Sequence, residues 1–257
     1  SMGDVAGDSR LEIVACAGNQ VHVLDSAGSE LSGFPAFTTT GFDIPGPAAI
    51  GDVDGDGSRD LVVLSDMNVR WIRADGTLGS IRNVGGSQLR STVALADVDG
   101  NGDLEVLFRS VNGLVFLTEH TGFTDRAGWP VAGAAASSNP GAIFGRFVTG
   151  DDHCVAWADS NLHVRTSTGA MPLNWIVTPG TPASTCGLVS GELDGSYTAN
   201  RSIAFGDTGP FLNVYTSSGS SEWGWPRWMG YGTDYDAAIG DVDGDGWPEL
   251  VQLHQGG

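Results

Sequence analysis

The chain alternates between apolar segments of four to five residues and longer stretches that are rich in glycine and polar residues. β-Branched and aromatic residues are frequent in the apolar segments. Runs of this length and composition, separated by turn residues, predict β-strands joined by hairpins. Apolar runs of this kind lie at residues 61–65, 69–72, 106–109, 114–117 and 250–253.

A glycine-containing turn recurs through the chain at a nearly constant distance. Its glycines are separated by 48, 46, 47 and 50 residues. A period of this size is typical of a propeller blade with four strands. We therefore expect an all-β fold, a β-propeller of four-stranded blades with about five to six repeats of about 47 residues. The turn glycines are Gly28, Gly76, Gly122, Gly169 and Gly219.

Within each repeat, strand one enters a loop, strand two leaves it, strand three ends at the glycine turn, and strand four carries an aromatic–proline corner. We interpret residues 1–257 as a single domain. The chain starts at the first loop, so we expect the first unit to lack strand one. Either the ring closes irregularly, or the sequence is a piece of a longer propeller. The approximate units are 3–46, 47–90, 91–140, 141–183, 184–235 and a half unit, 236–257.

Three of the loops carry acidic residues at alternate positions between two apolar segments. In residues 52–60 the acids fall at loop positions 1, 3, 5 and 9. Crowded carboxylates repel one another unless a hard cation lies among them, and Ca²⁺ accepts oxygen ligands of this kind, including a backbone carbonyl at position 7. The predicted ligands are Asp52, Asp54, Asp56, Ser58 and Asp60 in one loop, Asp97, Asp99, Asn101, Asp103 and Glu105 in the next, and Asp241, Asp243, Asp245, Trp247 and Glu249 in the last.

The remaining loops keep only part of this pattern. The loop 4–12 retains Asp4, Asp8 and Glu12 but has Ala6 at position 3, so it is a weaker candidate. The loop that starts at Arg146 has lost its acids at the first positions, and we expect no ion there. The sequence therefore predicts about three Ca²⁺ ions.

Charge and composition limit the classes of partner. The chain has 31 acidic residues against 12 basic ones and a net charge of −19. Nucleic acid is not an expected partner, because phosphate binding needs a basic surface. No apolar run is long enough to insert into a membrane. The three cysteines are either small buried hydrophobic residues or, for Cys154 and Cys186, a disulfide pair.

Two functions remain open from the residues alone. No nucleophile elbow, zinc-protease motif or phosphate-binding loop is present, and the five histidines are scattered. We therefore interpret the chain as a noncatalytic binding or adhesion module for a protein or glycan ligand. The alternative is a propeller-based carbohydrate-active enzyme, either a polysaccharide lyase or a hydrolase.

Tryptophans are expected mainly in the core between blades, including Trp71, Trp157, Trp175 and Trp225. One stretch is different, because it concentrates aromatic residues that could form an exposed ligand platform. The candidate platform residues are Trp223, Trp225, Trp228, Tyr231 and Tyr235.

The motif Asp-x-Asp-Gly-Asp/Asn-Gly-x-x-Asp/Glu, followed by an apolar strand, resembles the FG-GAP or VCBS repeat family. That family includes the N-terminal propeller of integrin α subunits and many secreted bacterial proteins, and the aromatic–proline corners are similar to the bacterial branch. The resemblance implies that each complete loop joins the first two strands of a blade and holds calcium. A need for calcium favours an extracellular, cell-surface or periplasmic location, as part of a larger secreted protein.

Overall fold

The computed structural model describes residues 1–37, 44, 46–86, 88–135, 141–148, 150–151, 153–172, 175–177, 187–193, 201–207, 209–230 and 236–252. Within these residues the chain is all-β, which confirms the prediction from the apolar pattern. It forms five four-stranded antiparallel sheets, one two-stranded sheet and a 3₁₀ turn at Thr121–Phe123. Among the described segments there is no helix with the length and apolarity to cross a membrane. The sheets fall into two compact units, residues 1–139 and 140–257.

The first unit contains three sheets, and in each of them consecutive strands are neighbours. The first sheet comprises β1 (Met2–Gly3), β2 (Glu12–Ala17), β3 (Gln20–Leu24) and β4 (Ala36–Phe37). The second sheet comprises β5 (Ala49–Gly51), β6 (Asp60–Ser65), β7 (Asn68–Ile72) and β8 (Leu78–Asn83). The third sheet comprises β9 (Ala94–Ala96), β10 (Glu105–Arg109), β11 (Leu114–Thr118) and β12 (Val131–Ala132).

The second unit repeats this order of strands. Its first sheet comprises β13 (Ile143–Gly145), β14 (Cys154–Ala158), β15 (Leu162–Arg165) and β16 (Ile176–Val177). The next comprises β17 (Val189–Gly191), β18 (Ser202–Gly206), β19 (Phe211–Tyr215) and β20 (Arg227–Trp228). A two-stranded sheet of β21 (Ala238–Gly240) and β22 (Glu249–Val251) follows.

The first sheet differs from the sequence prediction at its N-terminus. The expectation that this unit lacks strand one is wrong, because Met2–Gly3 pairs with β2. The Ser1 amino group extends the pairing by donating to the Val14 carbonyl at 3.0 Å. The Ser1 hydroxyl also donates to the Ala48 carbonyl at 2.6 Å. Backbone hydrogen bonds hold this strand, and a two-residue strand has no apolar periodicity that a sequence pattern could detect.

The second sheet is buried on both faces, which explains why its strands read as continuous apolar runs. Along β6, successive side chains point to opposite faces. Leu61 and Val63 pack into one hydrophobic cluster with residues of β2 and β3. Val62 and Leu64 pack into another cluster with residues of β10 and β11. Both neighbouring sheets therefore contribute to the burial of this sheet. Each Å² of apolar surface that they cover stabilises the fold by about 25 cal/mol.

Glycine at the end of strand one lets neighbouring sheets approach closely. A Cβ on Gly51 would lie 2.7 Å from Cδ1 of Leu104. A Cβ on Gly3 would lie 2.9 Å from Cγ2 of Ile50. Each of these glycines immediately precedes the first acid of a loop, so close packing also brings adjacent loops into contact. The Leu104 N–H donates to the Val53 carbonyl at 3.1 Å.

Most of the tryptophans expected in the core lie there. Trp225 is the exception, since it is only half-buried although the tryptophan of the corresponding corner, Trp129, is buried. The residues on either side of Trp225, Gly224 and Pro226, are themselves exposed. The predicted core tryptophans that are buried are Trp71, Trp157 and Trp175.

The glycine turns share a glycine in the left-handed region. In four of the five turns the glycine N–H donates to the carbonyl three residues earlier, at 2.8–2.9 Å: Gly28 to Asp25, Gly76 to Arg73, Gly169 to Thr166 and Gly219 to Thr216. All five turn glycines have a positive φ, a region that is strained for other residues. The values are 79° for Gly28, 81° for Gly76, 66° for Gly122, 77° for Gly169 and 76° for Gly219.

Gly28 and Gly76 form a matched pair that tests the close packing of the first two sheets. Alanine at either position costs about 1–2 kcal/mol in backbone strain. A Cβ at Gly28 would meet nothing within 4 Å, whereas a Cβ at Gly76 would lie 2.2 Å from the carbonyl oxygen of Gly33. We expect Gly76→Ala to lower the free energy of unfolding by at least about 2 kcal/mol more than Gly28→Ala, measured by chemical denaturation. Equal losses would contradict this packing.

Candidate metal centre

The three complete acidic loops each join the first two strands of a sheet. Residues 52–60 connect β5 to β6, residues 97–105 connect β9 to β10, and residues 241–249 connect β21 to β22. In each loop, three acidic residues offer oxygen atoms that lie within 4.8 Å of one another. These groups are Asp52, Asp54 and Asp56 in the first loop, Asp97, Asp99 and Glu105 in the second, and Asp241, Asp243 and Glu249 in the third.

Two glycines with positive φ fold each loop around its first acid. In residues 52–60 these are Gly55, with φ 70°, and Gly57, with φ 91°. The turn directs the Gly57 N–H towards Asp52, whose Oδ2 accepts it at 2.9 Å. The same hydrogen bond, from loop position 6 to position 1, recurs from Gly102 to Asp97 at 3.0 Å and from Gly246 to Asp241 at 2.9 Å.

Position 9 distinguishes the loops from one another. Glu105 and Glu249 bend back over their own loops, and each accepts the backbone N–H of loop position 2, at 2.6 Å and 2.7 Å. Asp60 is one methylene shorter, and its Oδ1 accepts the Ala74 N–H at 3.0 Å instead. Asp60 therefore lies outside the close group of its loop, whereas both glutamates belong to theirs.

The loop 52–60 leaves buried carboxylate oxygens without a hydrogen bond. These are Oδ1 of Asp52 and Oδ1 of Asp54, which accept no hydrogen bond from the described part of the chain. Leaving one buried acceptor unpaired costs about 1–3 kcal/mol, and more when it is charged. A hard cation would satisfy oxygens of this kind, so the residues present fit Ca²⁺.

Burial also raises the pKa of two position-9 carboxyl groups. Desolvation is the main cause for Asp60, whose pKa rises from 3.8 to about 6, and the charges of Asp54 and Asp56 add to it. Desolvation likewise raises the pKa of Glu105 from 4.5 to about 7, although the charge of Arg126 lowers it. Desolvation therefore makes the ionised form less favourable at both positions than it is in water, and added positive charge nearby would stabilise it.

The remaining predicted acidic ligands, Asp60, Asp103 and Asp245, lie in the same loops but outside the close groups. The side-chain oxygen of position 5 accepts the N–H of position 7 in all three loops. The N–H of Ser58 donates to Asp56 at 2.7 Å, that of Asp103 to Asn101 at 2.7 Å and that of Trp247 to Asp245 at 2.8 Å. This bond holds the backbone at position 7, the residue predicted to contribute its carbonyl.

The loop 4–12 keeps the same hydrogen bonds without an acid at position 3. Asp4 accepts the Ser9 N–H at 3.0 Å, and Glu12 accepts the Val5 N–H at 2.8 Å. Ser9 takes the place of the second glycine and has a φ of 69°. Among the described residues, Asp4, Asp8 and Glu12 do not form a close group of three acids.

The candidate aromatic platform is described only in part. Trp223 is 93% exposed and Trp228 is 70% exposed. The Arg227 guanidinium lies 5.9 Å from the ring centroid of the half-buried Trp225. Tyr231 and Tyr235 lie outside the described residues, and so does Cys186 of the candidate disulfide.

Sequence reasoning missed a cation beside the second loop. The Nη1 atom of Arg126 lies 3.0 Å from Oδ2 of Asp99 and 2.9 Å from Oε1 of Glu105. The only signal in the sequence is the position of Arg126 two residues before the Gly-Trp-Pro corner, 21 residues after Glu105. No local pattern connects that corner with the acidic loop.

Many solved structures resemble the chain, and the identities of the following three are low enough to show similarity of fold alone. The biofilm matrix protein Bap1 of V. cholerae is 19% identical with a TM-score of 0.65, over 92% of this chain and 40% of that chain. BBS1N in complex with ARL6DN, soaked with mercury, is 11% identical with a TM-score of 0.67, and the match covers 99% of this chain and 73% of that chain. The computationally designed Ika8 protein is 13% identical with a TM-score of 0.60, and the match covers 95% of this chain and 68% of that chain.

The chain thus spans well under half the length of Bap1. No curated protein matches the sequence. The family model described as FG-GAP-like repeat matches residues 52–108, which contain two of the three complete acidic loops and the strands between them. The resemblance inferred from the acidic motif is confirmed over this segment, since residues 52–108 match the FG-GAP-like repeat.

Proposed function

We propose that the chain is a noncatalytic, calcium-stabilised binding module that acts outside the cytoplasm and recognises a glycan or protein ligand. The observation that carries the proposal is the loop 52–60, where buried oxygens of Asp52 and Asp54 accept no hydrogen bond from the described residues. These oxygens belong to acids that crowd within 4.8 Å. A structural role for calcium follows, since an ion there would neutralise the acids and join strands one and two of the sheet.

We further propose that the sheets are blades of a β-propeller with about five to six repeats, closed irregularly or continued in a longer chain. Five sheets with the same sequential order of four strands support this proposal. The period of about 47 residues is the length that such a blade requires. In this fold each blade covers the apolar face of the next, as the second sheet requires on both of its faces.

The noncatalytic character of the module is supported by the surroundings of two histidines. His22 pairs with Glu30 at 3.1 Å, and His163 pairs with Asp159 at 2.9 Å, each within one repeat. In the described residues, the pocket beside the loop 241–249 is lined by Glu192, Arg201 and Trp247, together with small and apolar residues and no histidine or tyrosine. These arrangements favour binding over the carbohydrate-active enzyme that the sequence left open.

The extracellular setting is supported by the need for calcium and by one structural neighbour. Sites of this kind in extracellular modules bind calcium at concentrations that occur outside the cytoplasm. Bap1, which shares the fold, is a biofilm matrix protein. The ligand surface that we propose is the exposed pair Trp223 and Trp228, since aromatic side chains that remain in solvent are typical of binding sites.

Calcium is expected to raise the stability of the folded chain. A site with an affinity of about 10 μM, filled at about 1 mM calcium, adds roughly 2.7 kcal/mol to the free energy of unfolding. Thermal unfolding in calcium and in EDTA measures this gain. Identical melting temperatures in the two conditions would count against the proposal, and magnesium at the same concentration is the control for a general effect of ionic strength.

Asp54→Asn is expected to remove the calcium gain of one loop, roughly 2.7 kcal/mol. In EDTA the same substitution leaves stability unchanged or slightly higher, because it relieves repulsion among Asp52, Asp54 and Asp56. The matched control is Asp66→Asn, which removes the same charge from the turn between β6 and β7 and keeps an acceptor for Gln88. Calorimetric titration should show one site fewer in Asp54→Asn alone. A calcium gain that survives intact in this variant would exclude the loop as a site.

A glycan array read in calcium tests the ligand surface. We expect Trp223→Ala and Trp228→Ala each to weaken binding at least tenfold, since truncation of a tryptophan at the centre of a binding surface typically costs about 2 kcal/mol or more. Phe37→Ala is the matched control, because Phe37 lies two residues after its corner proline, as Trp228 does, and is also exposed. Undiminished binding by both tryptophan variants would exclude this surface, and no binding by the unmodified chain would exclude a glycan ligand.

A further inference from the structure

Arg126 makes a three-way ion pair at the second acidic loop. Its Nη1 atom lies 3.0 Å from Oδ2 of Asp99, 2.9 Å from Oε1 of Glu105 and 2.8 Å from Oε1 of Glu119. The Glu105 side chain is almost fully buried, at 1% exposure, and Arg126 is exposed by only 18%. One guanidinium nitrogen therefore lies among three carboxylates, two of which belong to the acidic loop.

The fold itself does not require an arginine at this position. The Arg126 N–H donates to the Leu117 carbonyl of strand three at 3.0 Å. Leu31 makes the same bond to strand three of the first sheet, and Glu222 makes it in the second unit, both at 2.9 Å. Because leucine and glutamate occupy the equivalent position elsewhere, the arginine is specific to the third sheet.

The loops 52–60 and 97–105 consequently differ in their charge balance. In the part of the chain that the structure describes, no ion pair is formed by Asp52, Asp54 or Asp56, and two of their buried oxygens lack a donor. In the loop 97–105, Oε1 of Glu105 also accepts no hydrogen bond from the described residues, but two of the three acids in the close group form ion pairs with the guanidinium. Arginine keeps its positive charge at all physiological pH values, so it neutralises these acids permanently.

We infer that Arg126 is an internal cation that competes with calcium for the loop 97–105. The inference rests on the proposed calcium binding of the acidic loops and adds that these loops are not equivalent. Calcium needs its ligand oxygens at 2.3–2.6 Å. The guanidinium donates a hydrogen bond to Asp99, lies within ion-pair distance of Glu105, and repels a second cation. Calcium entry therefore requires Arg126 to leave Asp99 and Glu105.

Glu119 is an alternative ion-pair partner that Arg126 can keep when it leaves the loop. It contacts the same Nη1 atom, lies outside the loop and is 37% exposed, so Arg126 can keep this one partner while it releases the other two. The negative charge of the loop 97–105 is then neutralised in two alternative states, by Arg126 when calcium is scarce and by calcium when the ion is abundant. The loop 52–60 has only the calcium-bound means of neutralisation, so it binds calcium at a lower concentration than the loop 97–105 does.

The test isolates the loop 97–105 by replacing the position-3 acids of the other two loops, with Asp54→Asn and Asp243→Asn. Calcium affinity is then measured by calorimetric titration with and without Arg126→Leu, the residue found at this position in the first sheet. We expect Arg126→Leu to increase the affinity tenfold or more. The control is Arg90→Leu, which removes the same charge from an exposed arginine outside the loop and should change the affinity less than threefold.

A second readout separates this role from a purely structural one. In EDTA, Arg126→Leu is expected to lower the melting temperature, because three acids lose their counter-charge, and calcium should then raise it by more than in the parent. Arg126→Gln keeps an N–H donor without the charge and should give the same rise in affinity if the leucine variant does not fold.

The outcomes distinguish the two claims. An affinity that is unchanged or lower without the arginine, while the loop 52–60 of the intact chain still binds calcium, overturns the role of Arg126 and leaves the proposed function in place. The absence of calcium binding at every loop, with Arg126 present or replaced, overturns both.

Discussion

The hydrogen bond from the backbone amide at loop position 6 to the carboxylate at position 1 is the interaction on which each acidic loop depends. It joins Gly57 to Asp52 and Gly102 to Asp97, and it persists from Ser9 to Asp4 in a loop that lacks the position-3 acid. The bond closes the loop within nine residues, so that strands one and two can pair directly. It also draws the remaining acids inwards, which creates the repulsion that a cation relieves.

The second sheet places another constraint on the chain, because its neighbours must cover two apolar faces. In β6, alternate side chains pack into two different hydrophobic clusters. Close approach of the sheets is achieved with glycine at the points of contact, such as Gly51 beside Leu104 and Gly76 beside the Gly33 carbonyl. The acidic loops extend from these tightly packed edges, so their geometry is held by the body of the sheet as well as by their own hydrogen bonds.

Loops with nearly the same sequence are therefore not chemically the same. One methylene separates Asp60 from a glutamate, and it decides whether the position-9 carboxylate bends over its own loop or contacts Ala74. A distant arginine decides whether the acids are already neutralised. A repeat of similar motifs can in this way contain sites that respond to different concentrations of one ion.

The sequence by itself determined the features that depend on neighbours along the chain. The all-β fold, the left-handed glycine turns and the acidic residues that crowd in each loop follow from apolar alternation, from glycine at positions of positive φ and from carboxylates within nine residues of one another. Only the tertiary structure decided that Met2–Gly3 forms a strand, that Trp225 is half-buried, and that Arg126 lies against Asp99. The reason is physical: these contacts join segments that the packing of sheets brings together, and local periodicity carries no information about which distant side chain will meet a given loop.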